Sequence, residues 1–319
     1  MSKPDAAAFD AAANMEQLYA LLDHTGMGPG WNKPEPSLWP TPRKNFVPAH
    51  WSYALSRPAL DAAGRYVSTA LAERRNLILA NPVPGNTYAT VRTLVAAYQM
   101  VKPHETARSH RHRPNALRLV IDADPETYTI VDGVKIPMLP GDVLLTPNWA
   151  WHGHANESDA CAYWVDFLDV PLMHFMEAMF FESYPEGIER SDKADAASPF
   201  RFAFADSKDQ LDRMEEGGAG WKQLALGPMQ MDTIGLFVER LESGATRDAG
   251  RTTAHSIYAV IDGSGVSHID STEIRWSRGD VIALPGWRPA THHAFERSHL
   301  LRVTDEPLMR KLNWLREEQ

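Results

Sequence analysis

The chain repeats itself at a nearly constant spacing, and this limits its fold more than any other feature. Val120-Ile121-Asp122 returns as Val260-Ile261-Asp262. Gly141-Asp142-Val143, followed by Pro147 and Trp149, returns as Gly279-Asp280-Val281, followed by Pro285 and Trp287. Asp169-Val170-Pro171-Leu172-Met173 returns as Asp305-Glu306-Pro307-Leu308-Met309. These landmarks stand 140, 138 and 136 residues apart. One offset shared by three landmarks means two copies of one structural unit.

The unit is β-rich. Short β-type runs cover 116–121, 127–131, 143–146 and 161–168, separated by turn signals such as Asp132-Gly133 and Pro140-Gly141-Asp142. Several short strands at this spacing indicate small barrels or sandwiches. The expected fold is mainly β, with two barrels in tandem behind an N-terminal helical and irregular segment. Residues 1–86 form that segment, 87–173 the first barrel, 174–230 a linker with a helix at 207–215, and 231–319 the second barrel. Apolar spacing predicts one amphipathic helix over 5–23 and another over 57–75, and the proline-rich stretch 28–50 between them excludes a long helix.

Composition narrows the partners. A net charge of −9 offers no basic face for nucleic acid. The single cysteine, Cys161, excludes an internal disulfide. No run approaches the roughly 18 apolar residues of a membrane span, and no charged-then-apolar leader is present, so a cytoplasmic protein is expected.

The chemistry is concentrated in His110-Arg111-His112 and Trp151-His152-Gly153-His154. Histidines at i and i+2 of a strand point to the same side. His110, His112 and His152 can therefore close a facial three-nitrogen metal site that leaves positions open. Three neutral imidazoles keep the full charge of the metal, which suits an anionic bidentate ligand. Spacing alone leaves Fe, Zn, Cu and Ni open. His154, two residues beyond His152, faces inward with it, and Arg118 keeps the same parity from His112. The second copy has Ala290 where the counterpart of His152 falls and a single histidine, His255, where a pair is expected. It reads as a structural or oligomerisation barrel, the alternative being a second metal on His255 with His292 or His293.

His110-x-His112 followed by Gly141-x5-Pro147-x4-His152-x3-Asn156 resembles the two motifs of the cupin superfamily of small β-barrels. The glutamate usual in the first motif is missing, with Ala116 and Leu117 in its place, and His104 replaces the opening glycine. The chain further resembles the gentisate 1,2-dioxygenase family, which includes salicylate and 1-hydroxy-2-naphthoate dioxygenases. That resemblance runs from Trp51-Ser52-Tyr53 through Glu73-Arg74-Arg75, Asn81-Pro82, Ser109-His110-Arg111-His112, Ala116-Leu117-Arg118 and Trp151-His152-Gly153-His154 to Leu168-Asp169-Val170-Pro171-Leu172.

The resemblance implies a bicupin with Fe(II) on His110, His112 and His152. It implies cleavage of a 2-hydroxybenzoate (gentisate, salicylate or a 5-substituted salicylate such as 5-nitrosalicylate) between the carboxyl-bearing and hydroxyl-bearing carbons, with both atoms of O2 retained. It implies that Arg118 binds the substrate carboxylate, that His154 serves as acid/base, and that Gln99 and Arg74 belong to the pocket. Val95 would stand where some members carry tryptophan. It also implies a homotetramer. The competing readings are another metallocupin enzyme, an isomerase or decarboxylase, and a non-catalytic cupin that binds aromatic acids.

Overall fold

The computed structural model describes residues 4–318 apart from 70, 73, 216–218 and 228–230, so Glu73 of the resemblance lies outside the described residues. Two compact units are present, residues 1–43 and 44–319.

The first unit holds α1 (Ala6–Asp10) and α2 (Met15–Thr25) in place of the single helix expected over 5–23. Two capping residues cause the break. The Asp5 side chain accepts from Ala8 N, and Asn14 accepts from Gln17 N, each at 2.9 Å. An Asx residue that caps a helix start must itself stay extended, so the chain restarts at Asn14. Gly26, at φ 72°, ends α2.

The second unit opens with β1 (Ala49–Trp51), α3 (Tyr53–Tyr66) and β2 (Arg75–Ile78). The helix expected over 57–75 thus begins and ends early, since Val67, Ser68 and Thr69 favour extended backbone over helix. The first barrel continues with β3 (Val95–Val101), β4 (Thr106–His112), β5 (Ala116–Asp122), β6 (Thr127–Val131), β7 (Val134–Pro137), β8 (Val143–Thr146), β9 (His152–Asn156) and β10 (Ala162–Leu168). Then come α4 (Val170–Phe175), β11 (Phe181–Ser183), β12 (Arg201–Phe202) and α5 (Phe204–Arg213), the last being the helix expected near 207–215. The second barrel comprises β13 (Trp221–Ala225), β14 (Gly235–Leu241), β15 (Thr246–Thr252), β16 (Ser256–Asp262), β17 (Ser264–Ile269), β18 (Thr272–Ser277), β19 (Val281–Leu284), β20 (Ala290–Ala294) and β21 (Ser298–Thr304). It is followed by α6 (Glu306–Lys311) and β22 (Glu317–Glu318). No helix among the described residues is long and apolar enough to cross a membrane.

The sheets reproduce the repeat strand for strand. The first copy has the orders β12-β8-β5-β10-β3-β2 and β11-β4-β9-β6-β7, and the second has β1-β19-β16-β21-β14-β13 and β22-β15-β20-β17-β18. Every pairing between these strands is antiparallel. Strand β10 shows why its apolar run is nearly continuous. Tyr163, Val165 and Phe167 enter a core shared with Ile257, Leu301 and Val303 of the second copy, while Trp164 packs with Val120 and Leu144 inside its own barrel. A strand buried on both faces loses the usual polar alternation.

The copies also exchange strands. β1 precedes the first barrel in sequence but pairs with β19 of the second, Ala49 opposite Ala283. β12 precedes the second barrel but pairs with β8 of the first, Arg201 opposite Leu144. Each exchanged strand leads into a helix fixed in the same way. Asp280 accepts from Tyr53 N at 2.9 Å, and Asp142 accepts from Phe204 N at 3.0 Å. Gly279 and Gly141, at φ 85° and 86°, lie against the Tyr53 and Phe204 side chains. A Cβ would come within 2.7 Å of Tyr53 or 2.6 Å of Phe204, so these positions need glycine for space as well as for φ.

Candidate metal centre

His110 and His112 end β4, and His152 opens β9, directly opposite His110 in the antiparallel register. An irregularity between Ala107 and His110 resets the face of β4, as a bulge does. His110 and His112 then face into the barrel with His152 and His154. Their nitrogens converge, with one ligand atom from each of His110, His112 and His152 within 4.8 Å of the others. No second such group of histidine, cysteine or carboxylate side chains forms among the described residues.

Backbone carbonyls orient all three rings. Nδ1 of His110 faces Arg108 O at 3.3 Å, Nδ1 of His112 faces Pro114 O at 2.8 Å, and Nδ1 of His152 faces Ala150 O at 3.0 Å. Donation from Nδ1–H leaves each Nε2 lone pair for a cation, the arrangement usual around metal-bound histidine. Burial lowers all three pKa values. His110 falls to about 3 through desolvation and then the Arg74 charge, His152 falls well below its ordinary value, and His112 is also lowered. Neutral imidazoles are the form that binds metal, so the donor set fits a metal ion.

Beside the triad lies a buried polar cluster. His154 is 6.1 Å from His152 between ring centroids, and its Nδ1 is 2.9 Å from Thr129 Oγ1. Arg118 Nη1 reaches His154 Nε2 at 2.9 Å and Thr129 Oγ1 at 3.2 Å. Desolvation, then the Arg118 charge, holds His154 well below its ordinary pKa. Arg118 is only 1 % exposed, and burial brings its guanidinium down to about 10, so it stays charged at neutral pH.

Sequence reasoning missed the counter-ion. Asp166 stands opposite Arg118 in the β10–β5 register, with Oδ1 3.5 Å from Arg118 Nε and Oδ2 3.7 Å from Arg74 Nη2. Trp164 Nε1 donates to Asp166 at 2.9 Å. The available signal was a carboxylate two residues after Trp164, on the inward parity of an apolar strand. One carboxylate thus faces two guanidiniums at the same wall of the pocket. Arg118 Nε has no hydrogen-bond acceptor among the described residues.

The structure also locates the remaining expected residues. Gln99 lies on β3 and accepts from Arg74 Nε at 3.0 Å. Arg74 comes from the residue preceding strand β2, where a helical segment was expected. Val95 shares the inward face of β3 with Gln99 and stands opposite Leu168, which in turn faces Ala116. Arg118 lies on β5, across a turn from His112, so its register with Asp166 places it and parity along β4 does not. Trp149 and Trp151 flank the Arg111 guanidinium, each at 4.4 Å, on the face of β4 opposite the triad. In the second barrel, Gly250 pairs with Ala290 where His110 pairs with His152, and His255 instead accepts from Gly286 N.

Comparison with known proteins agrees with this geometry. A cupin-domain family model matches residues 97–169, which span β3 to β10 of the first barrel. The chain is 32 % identical to the 1-hydroxy-2-naphthoate 1,2-dioxygenase of Nocardioides sp. (strain KP7), over 87 % of this chain and 80 % of that one. It is 28 % identical to gentisate 1,2 dioxygenase 1 of Aquipseudomonas alcaligenes, over 95 % and 96 % of the two chains. The fold is that of a salicylate 1,2-dioxygenase from Pseudaminobacter salicylatoxidans, with a TM-score of 0.86, 24 % identity, and 96 % and 97 % of the chains covered. Similarity of this extent, covering both barrels and the triad together, places the chain in the family of gentisate, salicylate and 1-hydroxy-2-naphthoate 1,2-dioxygenases.

Proposed function

We propose that the protein is a ring-cleaving dioxygenase acting on a 2-hydroxybenzoate such as gentisate, salicylate or a 5-substituted salicylate. The observation that carries this reading is the pairing of three convergent neutral histidines with a buried guanidinium, Arg118, beside them. The three relatives are named for different rings, but gentisate, salicylate and 1-hydroxy-2-naphthoate share a carboxylate next to a hydroxyl. Such a substrate is an anionic bidentate ligand.

His110, His112 and His152 would hold the metal, which we take to be Fe(II). Bound there, it supplies the chemistry of O2 activation and stabilises the phenolate. The protein does the positioning. Arg118 supplies the buried positive charge for the substrate carboxylate, a charge-assisted contact of the strong kind. Asp166 keeps Arg118 and Arg74 together against their mutual repulsion. Gln99, held by Arg74, faces the same space. His154, kept neutral by burial, is the acid/base group beside the substrate's hydroxyl oxygen. Val95, with Ala97 and Ala116, keeps one wall of the pocket small and leaves room for the ring. Both atoms of O2 enter the product as the bond between the carboxyl-bearing and hydroxyl-bearing carbons breaks. We further propose a cytoplasmic homotetramer, in keeping with the single unpaired Cys161.

The test is O2 uptake by protein reconstituted anaerobically with Fe(II), offered gentisate, salicylate, 5-substituted salicylates and 1-hydroxy-2-naphthoate in turn. Stoichiometric uptake with at least one ring is expected. No uptake with any of them removes the dioxygenase reading.

A further inference from the structure

The three ligand rings owe their orientation to the backbone. Each imidazole faces a carbonyl two residues along its own segment, that of Arg108, Pro114 or Ala150. The ligand geometry is therefore only as firm as the backbone of 108–114 and 149–152. Strand parity sends the side chains next to the ligands to the outer face of the sheet, and there they form one stack. The guanidinium of Arg111, which stands between His110 and His112 in sequence, lies 4.4 Å from the rings of both Trp149 and Trp151. Arg113, next after His112, lies 4.5 Å from the Trp149 ring. Glu182 of β11 accepts from Arg111 Nε at 2.9 Å and from Nη2 at 2.6 Å.

Hydrogen bonds fix the same positions. Trp149 N donates to His112 O at 2.9 Å, and Trp151 N donates to Asp132 Oδ1 at 2.8 Å. Trp149 takes a φ of 65°, a conformation that a bulky residue holds only where its surroundings impose it. A planar guanidinium can lie against two rings while its edge pairs with a carboxylate, a combination that an ammonium does not match.

The second barrel supplies the comparison. By register Arg251 corresponds to Arg111, Glu318 to Glu182 and Trp287 to Trp149. Trp287 also has positive φ, 62°, and its N–H donates to Thr252 O at 2.6 Å, as that of Trp149 does to His112 O. The difference is Pro289, which stands where Trp151 would fall. The barrel without the ligands folds without the second ring, so the ring is not a requirement of the fold. The complete stack accompanies the triad.

We propose that the Arg111 stack is a positioning device for the metal: by clamping Trp149 and Trp151 to β4 it keeps His152 set against His110 and His112 and slows escape of the ion. The inference rests on the reading of the triad as a metal centre. It is tested on the full-length protein loaded with Co(II), whose visible absorption reports its ligand geometry, by following release to an excess of chelator. Arg111→Met and Trp151→Leu should release Co(II) at least tenfold faster than wild type, the scale on which outer partners of a metal site act, and should shift its absorption bands. Trp151→Tyr, which keeps a ring face, should release it at nearly the wild-type rate. Thermal unfolding of the metal-free proteins should give matching midpoints, which separates the site from the fold. If Arg111→Met compromises folding, Arg111→Lys, which keeps the charge but not the plane, should still release Co(II) faster. Release from Arg111→Met or Arg111→Lys and from Trp151→Leu at the wild-type rate overturns the proposal, as does a Trp151→Tyr protein that behaves like Trp151→Leu. A wild type that takes up no Co(II) overturns the metal reading itself, and this inference with it.

Discussion

Arg118 and Asp166 face each other across neighbouring strands inside the first barrel, Nε to Oδ1 at 3.5 Å, close enough to pair yet too far apart to satisfy the arginine donor. Asp166 also faces Arg74, Oδ2 to Nη2 at 3.7 Å, so a single carboxylate positions both guanidiniums.

Arg118→Met should therefore raise KM for the aromatic acid by roughly 10- to 100-fold, the loss of one charge-assisted contact of about 1.5–3 kcal/mol. Metal content should be unchanged. Steady-state kinetics combined with metal analysis checks both, and an unaltered KM removes the carboxylate role.

Metal binding should contribute to stability through the triad. With free metal at about 100 times its Kd, linkage adds roughly 2.7 kcal/mol. Thermal unfolding of the wild type should shift upward on adding Fe(II) anaerobically, whereas His152→Ala should show no shift and no bound metal. Equal shifts in both proteins would place the metal elsewhere.

Val95 should set ring size. Val95→Trp puts a large ring on the inward face of β3, opposite Leu168. Turnover of 1-hydroxy-2-naphthoate should fall more than that of salicylate, read as a ratio of kcat/KM values. A ratio that does not move would take Val95 out of the pocket.

Gly279→Ala should destabilise the fold by about 2–4 kcal/mol, combining a strained φ with overpacking against Tyr53. Gly244→Ala, in the same unit as Gly279, makes the control. Its φ of 76° carries the same backbone strain with nothing within 4 Å, so it should cost only the smaller conformational part. Chemical denaturation of the two variants separates the contributions.

Acid should loosen the contact between copies at Asp122. Burial works to raise this carboxyl. The Tyr53 hydroxyl at 2.8 Å and the Arg278 guanidinium at 2.9 Å outweigh it and hold the pKa below the ordinary range. A lowered folded-state pKa means stability that is present above the unfolded value of about 4 and lost as pH falls through the folded one. Asp122→Asn should flatten the fall of the unfolding midpoint below about pH 4. An unchanged slope would mean that other carboxylates dominate.

Much of this was legible in the sequence because it is local. His110-x-His112 and the turn at Asp132-Gly133 depend on nearest neighbours, and both of those turn residues take positive φ, 44° and 77°. The repeat was legible because Gly141 and Gly279 each meet the same steric demand. What escaped depends on distant pairing. β12 has two residues and β1 three, too short to carry a pattern of their own. They are strands only because β8 and β19 present free edges to them. Asp166 escaped because a lone carboxylate in an apolar run has no visible counter-ion until the partner strand supplies Arg118. The N-terminal helix divided in two because the Asn14 side chain competes for the backbone, a preference that apolar spacing does not register.

The exchange of β1 and β12 has a consequence for how such a chain can be cut. A polypeptide carrying one repeat would own an edge strand for a barrel it does not contain, while its own barrel would lack one. It could close only against a second copy, each lending its strand to the other. Joining the repeats in one chain turns that mutual loan into an intramolecular event, independent of protein concentration. Separating them anywhere between Leu168 and Arg201 removes an edge from both barrels at once. The half that carries the histidines should then be recovered only by co-expression with the half that lacks them.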